Sequence, residues 1–398
     1  MGAGGGRPDV DAAAWSVSPA ALASAPMSPV IARIERELRD IWTSPTAPGD
    51  TPKTRVCTMN LVVIAGSREI AERYTSVVDE VTASIPARAI VVSLEPDAPA
   101  ATLEGEATAV CAVGGESQTV CSERVRLSAT GSTCARVASA VEALCVPEIP
   151  TTLVWLGRVH VDDPVFLTIA NQAERVILDT EYTSLASLMK LAAWARAERE
   201  RPAVADLAWT RLAVWQELCA RFFDDPKMRD HAYGITKLTL IQASEAGARL
   251  GSEGALLLGW LATRLGWKLQ RLGGAMRFRR PDGGHVTVTL NSVARPSEVA
   301  PAALAGIKLE AEAGGVKATG SVVRDLASGI EGQSPDADMV RWQLDVPFPV
   351  ATEQRVRLRD NKGGKLLVRT LHRPVSDPTL SDAVAFAEQV FEDGLICT

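Results

Sequence analysis

Residues 206–224 carry the densest set of side chains that could recognise another molecule. A helix here, turning about 100° per residue, places Leu212 and Trp215 on one apolar stripe. Arg211 falls inside that stripe and Trp209 lies at its edge. A guanidinium among apolar groups needs a carboxylate or carbonyl partner, because an unpaired buried charge is very costly. Two interpretations stay open: an internal ion pair with tryptophans packed in the core, or a Trp/Arg anchor at a protein interface.

Two arginine groups in the C-terminal half form a second candidate site. Its members are Arg277, Arg279, Arg280, Arg355, Arg357 and Arg359. The three at 355–359 alternate with apolar residues, so we expect them to share one face of a strand. Of the others, the first two are predicted to lie on the polar side of a hairpin, with the third at its turn. The groups form either a solvated sheet face or a docking surface for an acidic partner or a phosphorylated ligand.

Seven cysteines stand at positions 57, 111, 121, 134, 145, 219 and 397, an odd number without CxxC spacing. This pattern disfavours a disulfide framework and a four-cysteine zinc site, so reduced thiols are expected. Cys111 and Cys121 flank a Gly-Gly turn and could face each other across a strand pair, which makes a redox switch conceivable. The alternative is buried, inert thiols, because cysteine behaves as a small hydrophobe.

No complete catalytic constellation is present in the sequence. The Gly66-Ser67 turn between a strand and a helix could hold a phosphate, but it lacks the GxGxxG and GxxxxGK[ST] spacings. Asp163-Pro164 fits a helix start better than a metal site that includes His160. His231 lies among acidic residues and is expected to be solvated. We therefore predict no catalytic residue, no bound cofactor and no metal.

Composition excludes several classes of protein. The chain has 398 residues, 46% hydrophobic and 23% charged, which is too apolar for a disordered protein. The net charge of −6 argues against a globally basic nucleic-acid binder. The longest apolar stretch, residues 255–262, is far shorter than the roughly 18 residues that span a bilayer. The N-terminus lacks the pattern of a secretory signal, so we expect a cytoplasmic protein that binds neither membrane nor nucleic acid.

The hydrophobic pattern predicts an α/β region followed by an α+β region. Residues 1–27 read as a disordered tail, and 28–54 as an amphipathic helix and linker. Strands alternate with helices over 55–200, which is typical of a mainly parallel sheet covered on both faces. Residues 201–398 are predicted to form an antiparallel sheet packed with helices. A helical middle segment over 184–223 with a break near Pro202, and a short strand over 365–371, complete the prediction.

Five segments of the chain, between residues 55 and 267, resemble a known family. Asp206-Leu-Ala-Trp-Thr-Arg-Leu-Ala-Val-Trp-Gln-Glu-Leu is similar to the D-L-x-W-T-R-L-x-x-W-R-E-L segment of the glucose-6-phosphate dehydrogenase assembly proteins, called OpcA. Leu257-Leu-Gly-Trp-Leu-Ala-Thr-Arg-Leu-Gly-Trp267 resembles L-x-G-W-L-A-S-R-L-G-W of that family. The blocks 55–63, 86–92 and 147–155 resemble its N-terminal blocks in the same order. Gln216 and Val154 depart from residues common in the family, Arg and Trp respectively.

The resemblance implies a non-catalytic partner of glucose-6-phosphate dehydrogenase that promotes its oligomeric assembly or activation in the pentose phosphate pathway. In photosynthetic relatives this effect is linked to thiol redox state. The interface candidates are then the tryptophans and arginines named above, and the redox candidates are Cys111 and Cys121. An alternative is an α/β enzyme or sensor that uses its strand–helix loops to bind a phosphorylated metabolite or a nucleotide.

Overall fold

The computed structural model describes residues 28–43, 53–114, 118–181, 183–272, 275–297, 299–326, 336–347, 352–358 and 363–392. The predicted disordered tail, residues 1–27, lies outside these ranges, and so does Arg359.

The first half of the chain alternates strands and helices, as predicted. In chain order the elements are α1 (Ser28–Thr43), β1 (Lys53–Arg55), β2 (Met59–Ala65), α2 (Arg68–Ser84), β3 (Ala87–Glu95), β4 (Leu103–Gly114), β5 (Gln118–Thr130), α3 (Val137–Leu144), β6 (Thr151–Leu156), α4 (Pro164–Ala170), β7 (Arg175–Leu178), α5 (Leu185–Ala197) and β8 (Ala203–Asp206).

These eight strands form the first sheet, in the order β1-β5-β3-β2-β6-β7-β8, with β4 paired to β5. All neighbours are parallel except the β4–β5 hairpin. Every residue of β2 is buried, because its Leu-Val-Val-Ile run is covered on both faces. Strand order reverses between β2 and β6, the point at which open α/β sheets leave a crevice beyond the carboxyl ends of their strands.

The second half forms the second sheet. Its elements are α6 (Leu207–Ala220), α7 (Arg229–Tyr233), β9 (Ile235–Ala243), α8 (Ser252–Leu265), β10 (Lys268–Leu272), β11 (Ala275–Arg279), β12 (His285–Val293), β13 (Ala303–Ala313), β14 (Val316–Asp325), β15 (Asp336–Asp345), β16 (Thr352–Arg357), α9 (Gly363–Leu371) and α10 (Pro378–Glu392). The strand order is β10-β11-β12-β9-β13-β14-β15-β16. Among the described strands of this second sheet, only β12 and β9 pair in parallel, and the other neighbours are antiparallel.

The second sheet has one apolar and one polar face. On the apolar face the Phe278 ring of β11 lies 5.6 Å from Phe386 of α10, and Trp342 of β15 stacks 5.1 Å from Phe222. The opposite face, here called the open face, carries the alternating polar side chains, among them Arg277 and Lys237. This mixed α/β architecture, with a mainly parallel sheet and a mainly antiparallel sheet, confirms the predicted fold class.

Three local predictions are wrong. Residues 365–371 form α9 rather than a strand, and α9 buries Leu366 and Leu367 against the α2 side of the first sheet. The middle segment, predicted as helical with a break near Pro202, also contains a strand, because β8 joins the first sheet beside β7 after that break. His231 is buried rather than solvated, and its Nε2 lies 3.1 Å from the carbonyl oxygen of Val316.

The placement of β8 and α9 bears on the organisation of the chain. Both elements follow residue 200, yet both pack on the first sheet. Gly364 N of α9 donates to Glu80 of α2 at 2.9 Å. Buried Arg175 of β7 donates to the carbonyl oxygens of Thr370 and Arg373 at 2.7 and 2.9 Å. The division of the chain near residue 200 stays a prediction.

Candidate functional site

A cavity of about 660 Å³ lies between the carboxyl ends of the parallel strands and the second sheet. Its walls come from α2, the end of β6, the segment after β7, the beginnings of α6 and α8, the 295–303 segment, β14 and β15. It therefore occupies the crevice that the reversal of strand order creates. Both halves of the chain contribute to it, which makes it the first place to look for a function.

The start of α6 is built by Asp206. This residue ends β8 and caps α6, and its Oδ2 accepts the backbone N–H of Trp209 at 3.2 Å. Thr180 donates its backbone N–H and its hydroxyl to the same carboxylate, at 2.9 and 2.8 Å. Burial raises the pKa of Asp206 to about 6, and the negative charge of Asp179 adds to this shift. The cap directs the first turn of α6, and with it Arg211, toward the end of β7.

Arg211 lies at the centre of a group of carboxylates. Its Nη2 contacts Asp179, which directly follows β7, and lies 2.6 Å from Glu181 Oε2. Its Nε lies 3.5 Å from Oε1 of Glu253, on the first turn of α8. The Arg211 cluster, as we call these four residues, thus joins the end of the first sheet to a helix that packs on the second.

Burial and charge oppose each other in the Arg211 cluster. Burial raises the pKa of Glu181 to about 7 and also raises the pKa of Asp179, although Arg211 opposes both shifts. Burial alone would lower the pKa of Arg211, but its three carboxylate neighbours outweigh that effect and raise it. The guanidinium therefore stays charged, and the three carboxylates together balance its positive charge.

A second arginine closes the same wall. Arg324 of β14 donates to the carbonyl oxygens of Leu304 and Ala337 at 2.7 and 2.9 Å. Its guanidinium lies 5.6 Å from the centre of the Trp215 ring. Burial lowers the pKa of Arg324. The backbone carbonyls and the ring hold this side chain rigidly beside the Arg211 cluster.

The tryptophans of α6 are buried. Trp209 is 3% exposed and Trp215 is 1% exposed. Trp209 Nε1 donates to Asp377 at the start of α10, at 2.8 Å. This is the arrangement of the internal ion-pair alternative, and it leaves almost no tryptophan surface for a partner in this conformation. An interface role for Trp209, Arg211 and Trp215 stays a prediction.

The sequence analysis singled out Arg211 but missed its partners. Asp179, Glu181 and Glu253 lie 32, 30 and 42 positions away from it in the chain. One signal was available, since Asp179 stands at the end of the apolar run 176–178, in the region predicted to form a parallel sheet, and the carboxyl ends of parallel strands meet at one edge of a sheet.

The two arginine groups lie far apart. Arg277 and Arg279 are on β11 and Arg355 and Arg357 on β16, all on the open face. The two strands are separated by six strand spacings, roughly 29 Å, because neighbouring strands lie about 4.8 Å apart. The two groups therefore lie on one face of the same sheet but do not form one continuous basic patch. Arg280 points away from both groups: it pairs with Asp282 at 2.9 Å and donates to the carbonyl oxygen of Ile235 at 3.0 Å.

The two arginine groups also differ in whether acidic side chains neutralise their charge. Arg355 pairs with Asp325 and Arg357 with Asp336, each at 3.0 Å. Lys268, Arg277 and Arg279 lie side by side on β10 and β11, and none of them has an ion-pair partner within the described ranges. These three residues, here called the β11 basic edge, are the place where positive charge is concentrated.

The cysteines of the described ranges divide into one bonded pair and four free thiols. Cys111 and Cys121 face each other in the β4–β5 hairpin and form a disulfide, although composition predicted reduced thiols. Cys111 is exposed and Cys121 is buried. Burial raises the pKa of Cys145 to about 11 and that of Cys219 to about 12. The pKa values of the thiols at 57 and 134 are also raised by burial, so these groups are weak nucleophiles.

The Gly66-Ser67 turn is closed by the chain itself. Ser67 caps α2 by accepting the N–H of Ile70 at 3.3 Å, and Arg68 N donates to Glu95 Oε1 at 3.2 Å. A carboxylate of the chain thus lies where a helix N-terminus would receive a phosphate. Asp163 likewise caps α4 by accepting the N–H of Val165 at 2.8 Å, which confirms the helix-start interpretation.

Within the described ranges, no helix is long and apolar enough to cross a bilayer. The same residues contain no group of three or more His, Cys, Asp or Glu side chains placed to hold a metal ion.

Comparison with known proteins decides the family. Residues 78–193 match a family model described as the glucose-6-phosphate dehydrogenase subunit N-terminal domain. Residues 202–384 match the corresponding C-terminal domain model. The chain belongs to the OpcA family.

Curated cyanobacterial OpcA proteins are similar to this chain. The OxPP cycle protein OpcA of Nostoc punctiforme is 26% identical over 244 residues, which cover 59% of this chain and 48% of that protein. The Synechococcus elongatus protein of the same description is 29% identical over 175 residues, covering 44% of this chain and 38% of that protein. The matches span half or less of the length of these OpcA relatives.

Solved structures share the fold only distantly. Levoglucosan dehydrogenase in complex with NADH has a TM-score of 0.45 at 10% identity, covering 86% of this chain and 96% of that one. An NAD-binding oxidoreductase from Klebsiella pneumoniae has a TM-score of 0.45 at 8% identity, covering 84% and 95%. At this distance no property of those enzymes passes to this OpcA chain.

The residues that carry the OpcA resemblance have internal structural roles. In the 206–218 block, Asp206 caps α6 and Arg211 binds the carboxylates that face it. In the 257–267 block, Gly259 lets α8 approach α10, since a Cβ there would lie 2.4 Å from the carbonyl oxygen of Ala383. Gly266 ends α8 with φ +68°, a conformation that favours glycine. The first block therefore links the end of the first sheet to α8, and the second packs α8 against α10.

Proposed function

We propose that this chain is a non-catalytic assembly factor and allosteric activator that binds glucose-6-phosphate dehydrogenase and promotes its active oligomer. The observation that carries the proposal is the family match, because both halves of the chain match models described as domains of a glucose-6-phosphate dehydrogenase subunit.

The cavity supports a role without catalysis. Apart from Tyr74, its ionisable groups are arginines and carboxylates, and the inner ones, around Arg211, are engaged with one another. A dinucleotide would need the N-terminus of α2, where Glu95 already accepts the N–H of Arg68. These contacts favour a structural role for the cavity region, which holds the two halves of the chain together, over a role in hydride transfer.

The docking surface we propose is the β11 basic edge. Its three cations have no ion-pair partner within the described ranges, whereas the net charge of the chain is −6. The electrostatic potential at this edge is therefore opposite in sign to the net charge of the protein. Such a patch attracts an acidic partner, speeds encounter and fixes orientation. The β16 arginines are less suited to this role, because Asp325 and Asp336 already neutralise them.

The test is reconstitution with the purified dehydrogenase from the same source. We expect the two proteins to co-elute in size-exclusion chromatography, the dehydrogenase to shift to a larger species, and its rate of NADP+ reduction to rise. The chain alone with glucose 6-phosphate and NADP+ should show no reduction. Absence of both co-elution and activation, or reduction of NADP+ by the chain alone, would overturn the proposal.

Thiol control, we further propose, acts through the Cys111–Cys121 disulfide. The pair lies in the β4–β5 hairpin, and Cys111 is open to a reducing dithiol. Reduction frees both thiols and removes the covalent link across the two strands. We expect dithiothreitol to change activation of the dehydrogenase by the wild type and to have no effect with Cys111→Ser/Cys121→Ser. Cys219→Ser is the control, since that thiol is buried and unbonded. Activation that is insensitive to dithiothreitol in the wild type would contradict this role.

A further inference from the structure

We infer that the cavity between the two sheets binds a sugar phosphate, with the phosphate at two rim arginines and the hydroxyl groups at the Arg211 cluster. The inference goes beyond the proposed assembly role, because a chain that never meets the dehydrogenase would still bind such a ligand.

Two polar atoms on the cavity wall have no hydrogen-bond partner among the described residues. They are Thr183 Oγ1, which follows β7, and Arg211 Nε, which lies 3.5 Å from the Glu253 carboxylate without a hydrogen bond. Both atoms are inaccessible to solvent. An unsatisfied buried polar group is costly, so its presence calls for a partner that the folded chain does not supply. A ligand hydroxyl can both donate and accept, and it can satisfy either atom once the side chains that cover that atom shift.

The rim of the cavity supplies positive charge from both halves of the chain. Arg73 on α2 and Arg295 after β12 line the cavity, and both are exposed. Arg295 Nη1 donates to the carbonyl oxygen of Val299 at 2.8 Å, which orients its guanidinium. Neither arginine has an ion-pair partner in the part of the chain that the structure describes. Guanidinium groups bind phosphate oxygens in a bidentate manner, so this rim suits a phosphate.

The interior of the cavity suits a polyhydroxylated body. The carboxylates of Asp179, Glu181 and Glu253 accept hydrogen bonds from hydroxyl groups, and Arg211 holds them in place. Apolar side chains, among them Leu156 and Val299, complete the lining. A volume of about 660 Å³ lies within the range of about 300–1,000 Å³ that small-molecule sites occupy. A dinucleotide is the weaker candidate, because Glu95 occupies the N-terminus of α2.

The test is calorimetric titration of the isolated chain with glucose 6-phosphate as the probe. We expect saturable binding that glucose and inorganic phosphate reproduce only weakly, because each supplies half of the recognised groups. Arg73→Ala/Arg295→Ala should weaken binding at least about tenfold, because both charged partners of the phosphate are lost. Arg357→Ala, exposed on β16, is the matched control and should bind as the wild type does.

A second variant separates binding from folding. Thr183→Val keeps the shape of the side chain and removes a hydroxyl that has no partner among the described residues. We expect weaker binding of glucose 6-phosphate without any fall in the melting temperature. Absence of saturable binding at millimolar glucose 6-phosphate overturns the inference. So does binding that survives the double arginine variant, or tighter binding of NADP+ than of the sugar phosphate. None of these results depends on association with the dehydrogenase.

Discussion

At the scale of single residues, the chain concentrates unusual electrostatics around Arg211. Three carboxylates surround this one guanidinium, and burial raises the pKa of Glu181, whose Oε2 lies 2.6 Å from the arginine, to about 7. Removing one partner from a buried ion pair is expensive, whereas neutralising an excess partner is not. Glu181 is the excess partner, because Asp179 and Glu253 still contact the arginine without it.

Glu181→Gln should change how stability depends on pH. The pKa of Glu181 rises from 4.5 to about 7 in the folded chain because the group is buried. Between these two values the unfolded state ionises while the folded state keeps its proton, so the free energy of unfolding falls as pH rises. One pKa unit is about 1.4 kcal/mol, so this group contributes a loss of about 3 kcal/mol. The glutamine variant should lack that loss, as measured by urea unfolding from pH 4.5 to 8.

Glu310→Gln is the matched control for this experiment. Glu310 pairs with Lys237 on the open face and its side chain is 53% exposed. Its removal should leave the pH dependence unchanged. If Glu181→Gln and the wild type show parallel stability curves across this range, the carboxyl group of Glu181 ionises normally in the folded state.

How far the Arg211 cluster could be predicted from the sequence depends on distance along the chain. Helical periodicity placed Arg211 among apolar residues and required a partner for it, which was correct. It could not name Glu253, because α8 is brought to α6 only by packing around the second sheet. The wrong expectation for His231 has the same origin, since β14 covers this residue from 85 positions away.

At the scale of elements, helices α8 and α10 pack closely on the apolar face of the second sheet. The contact point is Gly259, whose position leaves no room for a methyl group beside the backbone of Ala383. The apolar run at 255–262 is typical of a helix buried in a core, but it does not indicate which element the helix packs against. Hydrophobic periodicity also gave the wrong element over 365–371. A short run with adjacent leucines fits a buried strand and a helix equally well.

Gly259→Ala should destabilise the chain by about 1–3 kcal/mol, the usual cost of overpacking a core. The added Cβ would lie 2.4 Å from a backbone oxygen, so α8 and α10 must move apart. Thermal unfolding measures the loss.

Gly66→Ala is the paired control, because a Cβ there meets only the carbonyl oxygen of Leu156 at 3.9 Å. That variant should change stability by no more than about 0.5 kcal/mol. Equal melting temperatures for the two variants would show that α8 and α10 are not in close contact.

At the scale of the whole molecule, charge is unevenly distributed. The chain is acidic overall. Its open face carries paired charges at β16 and, as far as the described residues show, cations without ion-pair partners at the β11 basic edge. Strand alternation predicted which side of the sheet these arginines occupy. Alternation could not show that β11 and β16 lie near opposite ends of the sheet, since strand order depends on long-range pairing.

Arg277→Glu/Arg279→Glu should slow association with the dehydrogenase several-fold at low salt. Steering by exposed charge acts mainly on the association rate. The difference from the wild type should shrink toward physiological ionic strength, where the Debye length is about 8 Å. Stopped-flow or surface-based kinetics across a salt series give both rates.

Arg355→Glu/Arg357→Glu is the control of equal charge change, because those arginines are already paired. A larger effect from this control than from the β11 variant would move the docking surface to β16. A faster dissociation in Trp209→Ala, with unchanged salt dependence, would instead support an anchor on α6.

The return of α9 to the first sheet has a consequence in time. Glu80 and Gly364, joined by a hydrogen bond, are separated by 284 positions. At about 5–20 residues per second, a ribosome needs roughly 15–60 s to make the intervening chain. Throughout that interval the surface that Leu366 and Leu367 later cover remains exposed to solvent. The guanidinium of Arg175 also lacks its carbonyl partners until α9 is made. The first half of the chain therefore acquires its complete hydrophobic core only after α9 has been made.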